Sequence, residues 1–136
     1  MGEIKIAVKG IILKDNKMLI VQRSATDTVG AGTWENVGGS LEFGESFEEA
    51  LHREFLEEVG LNVTIQKLLY ATSFLTSSSR QIVLLAFLCS CEHIDVTLSN
   101  EHDQFLWATK EELIKLLPKE IIADYDQHGI LKLLSE

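Results

Sequence analysis

The chain has 136 residues and a net charge of -9, and at about 150 residues per domain this predicts one domain spanning 1–136. A composition of 46% hydrophobic, 24% charged and 7% aromatic residues excludes disordered, collagen-like and coiled-coil chains. The longest apolar run, Ile82 to Cys89, is far short of the roughly 20 residues of a spanning helix; with 21 acids against 12 bases, neither a membrane nor a nucleic-acid polymer is an expected partner.

The N-terminus shows no charged segment followed by an apolar one, so a cytoplasmic location is expected. Ile4 to Leu13 and Met18 to Arg23 are β-rich runs separated by Lys14-Asp15-Asn16-Lys17, which reads as a hairpin. A glycine-bearing loop follows, Asp27 to Thr33, and then a glycine pair, Gly38-Gly39. Ser46 to Glu49 fits a capping box, and the apolar periodicity of Phe47, Ala50 and Leu51 predicts a first helix that stops near Gly60. Leu61 to Leu75 and Arg80 to Cys91 read as strands joined at the Ser-rich turn Thr76 to Ser79, with a polar loop from Glu92 to Asp103 and a short strand from Gln104 to Ala108. Thr109 to Glu112 is a second capping box, opening a helix that ends before Pro118, and a last helix covers Lys119 to Leu134. Strands enclosing one helix and followed by others indicate a mixed sheet between helices. Cys89 and Cys91 point to the same side of one strand and make poor disulfide partners, so they read as small buried hydrophobes.

The segment from Gly39 to Leu61 concentrates acids in one helix. With Phe47 at zero and about 100° per residue, Ala50, Leu51, Glu54 and Glu58 all fall within roughly 60° of it, so two glutamates continue an apolar stripe. Glu57 lies one step round, whereas Glu48 and Glu49 point toward water and strengthen the first turn. Like charges so placed destabilise a helix. Arg53, four residues before Glu57, neutralises one of them and leaves an excess. A hard divalent cation takes carboxylate oxygens and bridges to phosphates, which would also supply the positive charge that the net composition withholds.

These residues carry a resemblance. Gly39, five residues, Glu45, seven residues, Arg53-Glu54-Phe55, one residue, Glu57-Glu58, one residue and Gly60-Leu61 are similar to the Nudix box, with Phe55 where the family usually has an aliphatic residue. Gly30 to Trp34 and Leu41 to Glu45 extend the likeness to the MutT-type nucleoside triphosphate pyrophosphohydrolases. Val37 stands in place of the proline of the common Pro-Gly-Gly, and Ser40 in place of a lysine of some members.

The resemblance implies an α/β fold of the α+β kind, a Nudix-like α/β/α sandwich with a mixed β-sheet. It implies Mg2+, with Mn2+ as a substitute, held by Glu57, Glu58, the Gly39 carbonyl and Glu54, the last as ligand or general base. Arg53 would orient a box glutamate, Glu45 would brace the loop before the helix, and Gly60 would end it. Glu101 matches an acid outside the box that serves as ligand or base, against the reading of a solvated loop acid. Arg23 is similar in place to a phosphate-binding arginine, against a surface salt bridge. Trp34, Phe74 and Phe87 either stack on a nucleobase or pack in the core, and His102 is the one histidine expected to approach the site. The implied reaction is hydrolysis of a (deoxy)nucleoside triphosphate to the monophosphate and pyrophosphate, as in nucleotide-pool sanitising. ADP-ribose, nucleotide sugars and dinucleoside polyphosphates are alternative substrates, and a non-catalytic ligand-binding module is the competing class. The nucleotide is the expected partner, and the resemblance admits a homodimer.

Overall fold

The computed structural model describes residues 1–134. Seven strands, β1 (Glu3–Lys14), β2 (Lys17–Arg23), β3 (Trp34–Glu35), β4 (Val37–Ser40), β5 (Val63–Ser77), β6 (Arg80–Cys91) and β7 (His102–Ala108), form one sheet. Its helices are α1 (Phe47–Val59), α2 (Lys110–Leu116) and α3 (Lys119–His128), followed by a 3-10 turn over Leu131–Leu133. The strand path is β3-β2-β1-β6-β5, with β4 paired to β1 and β7 to β2. The sheet is mixed because β1 and β6 run parallel while the other pairs are antiparallel.

Alternation along the strands divides the core in two. Val8, Ile12, Leu19, Val21, Phe87 and Cys89 face α1, meeting Ala50, Leu51, Phe55 and Val59. Ile11, Met18, Ile20 and Ala86 face the other way, onto Leu113 and Leu117 of the α2 region, Tyr125 of α3 and Ile130. Sheet strands covered on both faces read as near-continuous apolar runs, which is how β1, β2 and β6 look in the sequence. This is the expected α/β/α sandwich. Leu51 and Phe55 are fully buried, and each such side chain contributes about 1.5–3 kcal/mol through removal from water. Among the described residues no helix is long and apolar enough to cross a membrane.

Local signals place the boundaries. Asp15 and Asn16 both have positive φ, 49° and 63°, the conformation a two-residue I′ hairpin turn demands. Both expected capping boxes form, Ser46 with Glu49 and Thr109 with Glu112. Gly60, at φ 69°, is the left-handed C-cap of α1. Cys89 and Cys91 are free thiols.

Three expectations need correction. The expected helix from Lys119 to Leu134 ends at His128, because Gly129 adopts φ 70° and caps it. The glycine-bearing stretch before α1 contains two short strands, β3 and β4, which no alternation announced because they are held by pairing with β2 and β1. The last strand begins at His102 rather than Gln104, so His102 is a sheet residue, paired with Arg23 across a register shift, and not a loop residue.

Candidate active site

The ends of β2, β3 and β4, the middle of α1 and the entry to β7 converge on a cleft of ≈ 620 Å³. Lys9, Arg23, Glu35, Gly39, Glu54, Glu58, Glu101 and His102 are among its lining residues. Its geometry rests on two ionic clusters.

The first ties α1 to the loop before it. The Arg53 guanidinium donates from Nε to Glu45 Oε2 at 2.8 Å and from Nη2 to Glu45 Oε1 at 2.9 Å, the fork that matches carboxylate geometry. Its Nη1 donates to Glu54 Oε1 at 2.8 Å and its Nη2 to the Ser40 carbonyl at 3.2 Å. Glu45 also accepts from the Glu42 backbone N–H at 2.9 Å. The Arg53 guanidinium, and then that N–H, hold the Glu45 carboxyl down at about 2. One arginine thus joins the end of β4, the connecting loop and Glu54. Gly39 is where β4 approaches the helix: a Cβ added there would stand 2.7–2.8 Å from the Glu54 carboxylate, so only glycine leaves Glu54 its place. Gly38, at φ 151°, would put a Cβ 2.0 Å from the Val8 carbonyl oxygen. Both glycines of the pair are therefore steric requirements.

The second cluster centres on Glu35. It receives His102 Nε2 at 2.9 Å, Arg23 Nη1 at 3.3 Å and Lys9 Nζ at 3.5 Å. Burial alone would raise its pKa, but the His102 hydrogen bond and the Lys9 and Arg23 charges outweigh burial and hold it at about 2. Glu58 is the opposite case. Burial, then the hydrogen bond with Glu54, push its carboxyl up to about 10 against the attraction of Lys9. Within one cleft the two carboxyls are driven apart, a pattern typical of reactive sites but also found in structural ion networks.

Glu54 and Glu58 line the cleft as their shared stripe implied. Glu101 lies at its exposed edge. Glu57 has a 60% exposed side chain and only a 3.8 Å approach to Arg53, because Arg53 spends its short contacts on Glu45 and Glu54. Arg23 lines the cleft and pairs with Asp27 at 3.1 Å; its Nε is buried without a hydrogen-bond partner among the described residues. Trp34 and Phe87 pack against the cores, and Phe74 lies in a separate groove between β5 and α3. Sequence reasoning passed over Lys9 and Glu35. The one charge within the run Ile6 to Leu13 of β1 was the available signal for Lys9; Glu35 had none, since its partners come from β1, β2 and β7.

The donor set fits a divalent cation. Glu58 Oε1 and His102 Nδ1 are buried with no hydrogen-bond partner among the described residues, and one ligand atom from each of Glu58, Glu101 and His102 lies within 4.8 Å of the others.

Comparison with known proteins gives the family and the fold. The model of the NUDIX domain family matches residues 4–127. The chain belongs to the Nudix family. It is 34% identical over 116 residues to the CTP pyrophosphohydrolase of Escherichia coli (strain K12), covering 84% of both chains. It is 32% identical over 132 residues to nucleoside triphosphatase NudI of Enterobacter sp. (strain 638), covering 88% of this chain and 94% of that one. The MutT protein of Methanosarcina mazei Go1 shares the fold, with a TM-score of 0.84 over 94% of each chain at 24% identity. This Nudix protein is a hydrolase acting on acid anhydrides, and the fold expected of it is the one observed.

Proposed function

We propose that this Nudix hydrolase cleaves a (deoxy)nucleoside triphosphate to the monophosphate and pyrophosphate, with Mg2+, or Mn2+ in its place, in the cleft. The observation that carries the reading is the meeting of half-buried Glu54 and buried Glu58 with Arg23 and Lys9 in one cavity, carboxylates for a cation beside cations for phosphates. The names of the two bacterial relatives support a triphosphate substrate.

Gly39, Glu54, Glu57, Glu58 and Glu101 are the residues that would hold the ion. When bound, it neutralises the phosphates and acidifies water. The remaining steps belong to the chain. Arg23, whose Nε has hydrogen-bonding capacity to spare, and Lys9 receive phosphate oxygens. Arg53 fixes Glu54, and through Glu45 it fixes the loop that follows β4 and its Gly39. A water oxygen bonds to phosphorus, the bond from that phosphorus to the bridging oxygen breaks, and the water's proton passes to Glu54 or Glu101 acting as base. The pyrophosphate group leaves.

A substrate panel with Mg2+, read by product chromatography, tests the proposal. Pyrophosphate and a nucleoside monophosphate are expected, and EDTA should abolish turnover. AMP with a sugar phosphate would instead identify ADP-ribose as substrate, and full activity in metal-free buffer would remove the ion from the reading. An inert protein across triphosphates, nucleotide sugars and dinucleoside polyphosphates would mean a binding module.

A further inference from the structure

His102 stands between two acids at the start of β7, its side chain 3% exposed. Glu35 also binds Lys9 and Arg23, so it is an ionised carboxylate that only accepts. The contact of 2.9 Å from His102 Nε2 to Glu35 Oε2 therefore places a ring hydrogen on Nε2, so that in the neutral ring the lone pair is the one on Nδ1. That lone pair faces Glu58 Oε1 at 3.8 Å, beyond hydrogen-bonding range. Neither atom has a hydrogen-bond partner among the described residues, and both are buried. Two electron-pair donors thus face each other, and one ligand atom from each of Glu58, Glu101 and His102 lies within 4.8 Å of the others. Donors each about 2.1 Å from an ion stand roughly 3–4 Å apart, so the separation suits a shared cation after slight closure.

We propose that His102 Nδ1 is a nitrogen ligand which, with Glu58 and Glu101, forms a site for a first-row divalent transition cation such as Mn2+ and biases the cleft toward it over Mg2+. Imidazole suits transition ions, whereas Mg2+ prefers oxygen throughout. Glu35 plays the part that an acid behind a metal-bound histidine commonly plays, holding the ring and its tautomer. The inference rests on the reading that this cleft holds a divalent cation. It differs in placing a nitrogen in a donor set that the box residues would make all-oxygen.

The test is Mn2+ binding followed by electron paramagnetic resonance, with spin-echo spectra of protein carrying 14N- or 15N-labelled histidine, on the wild type and on His102→Gln. A histidine-nitrogen coupling that changes with the label is expected in the wild type and should be absent from the variant. The variant's Kd for Mn2+ should rise on the order of 10- to 100-fold, the scale seen when even outer-shell partners are lost, with a markedly smaller change for Mg2+ in competition. Bound Mn2+ without nitrogen coupling would overturn the ligand role while leaving the metal reading intact, and the gap beside Glu58 would then be a place for water. No bound Mn2+ at all would sink both. Coupling that persists in His102→Gln would place the nitrogen on another histidine and also overturn the proposal. The labelled wild-type spectra decide the question even where the variant folds poorly.

Discussion

The most direct perturbation of the cleft is Glu58→Gln, which keeps the shape of the side chain and removes its ability to ionise. In the metal-free folded protein, burial and Glu54 raise the Glu58 carboxyl from 4.5 to about 10, and the retained proton belongs to the Glu54–Glu58 pair. Between those two values the unfolded chain has released the proton while the folded chain keeps it. The folded state binds more protons, so this pair makes stability fall as pH rises. The upper limit is about 1.4 kcal/mol per pH unit, one proton's worth. Glu58→Gln carries no such proton, and its stability relative to the wild type should grow by roughly 2–3 kcal/mol between pH 6 and pH 8. Urea denaturation of both proteins in EDTA at the two pH values measures this, since the difference between them cancels every other titrating group. Saturating Mg2+ favours the ionised carboxylate and should flatten the wild-type slope, while the variant gains less from the ion. A stability gap between variant and wild type that stays constant within about 0.5 kcal/mol across this range would show that the pair does not hold a proton, and the reasoning would fail.

Two further outcomes are expected. Gly10→Ala would place a Cβ 2.4 Å from a Phe55 ring carbon, costing about 1–3 kcal/mol by overpacking; in a Phe55→Leu background most of that cost should vanish, and thermal denaturation showing additivity within about 0.5 kcal/mol would refute the contact. Glu101→Gln should lower kcat by on the order of 10²-fold if this acid is base or ligand, whereas a change under about threefold in steady-state assays would return it to the solvated loop.

What could be read from the sequence was local. The stops of α1 lie in Ser46, Glu49 and Gly60, residues that act on the backbone within one turn, and the structure uses all three. The turn at Asp15-Asn16 was equally legible. Helical periodicity puts Glu54 and Glu58 on the same stripe of α1 as Ala50 and Leu51, and both line the cleft. The same periodicity could not say that Arg53 would prefer Glu45 to Glu57, since Glu45 reaches it only through the folded loop. Nor could it show that Phe55, the box's unusual residue, occupies space left by a glycine in β1. His102 was the one histidine expected to approach the site, and it lines the cleft, but its contacts were hidden for a related reason. A histidine at the end of a polar loop carries no pattern, and only the pairing of β7 with β2 brings it to Arg23, Glu35 and Glu58.

The ionic clusters also give a physical reason why, on the proposed reading, an acidic protein would use a bound cation for a phosphate substrate. Each cationic side chain at or beside the cleft is already engaged: Arg53 by Glu45 and Glu54, Arg23 by Glu35 and Asp27, Lys9 by Glu35. These pairs set positions, and they leave little unbalanced positive charge for an incoming polyphosphate. Arg23 Nε is an N–H donor without a partner among the described residues, but the guanidinium charge it shares is already paired with Glu35 and Asp27. Coulomb attraction at a few ångströms is worth several kcal/mol at the intermediate dielectric of a protein cleft, so a substrate with several negative charges would meet net repulsion from Glu35, Glu54 and Glu101. A divalent cation seated among Glu54, Glu58 and Glu101 reverses that balance at the point where the phosphates must sit. On the proposed reading, the carboxylates gathered in the cleft are the ones that would make substrate binding conditional on the ion.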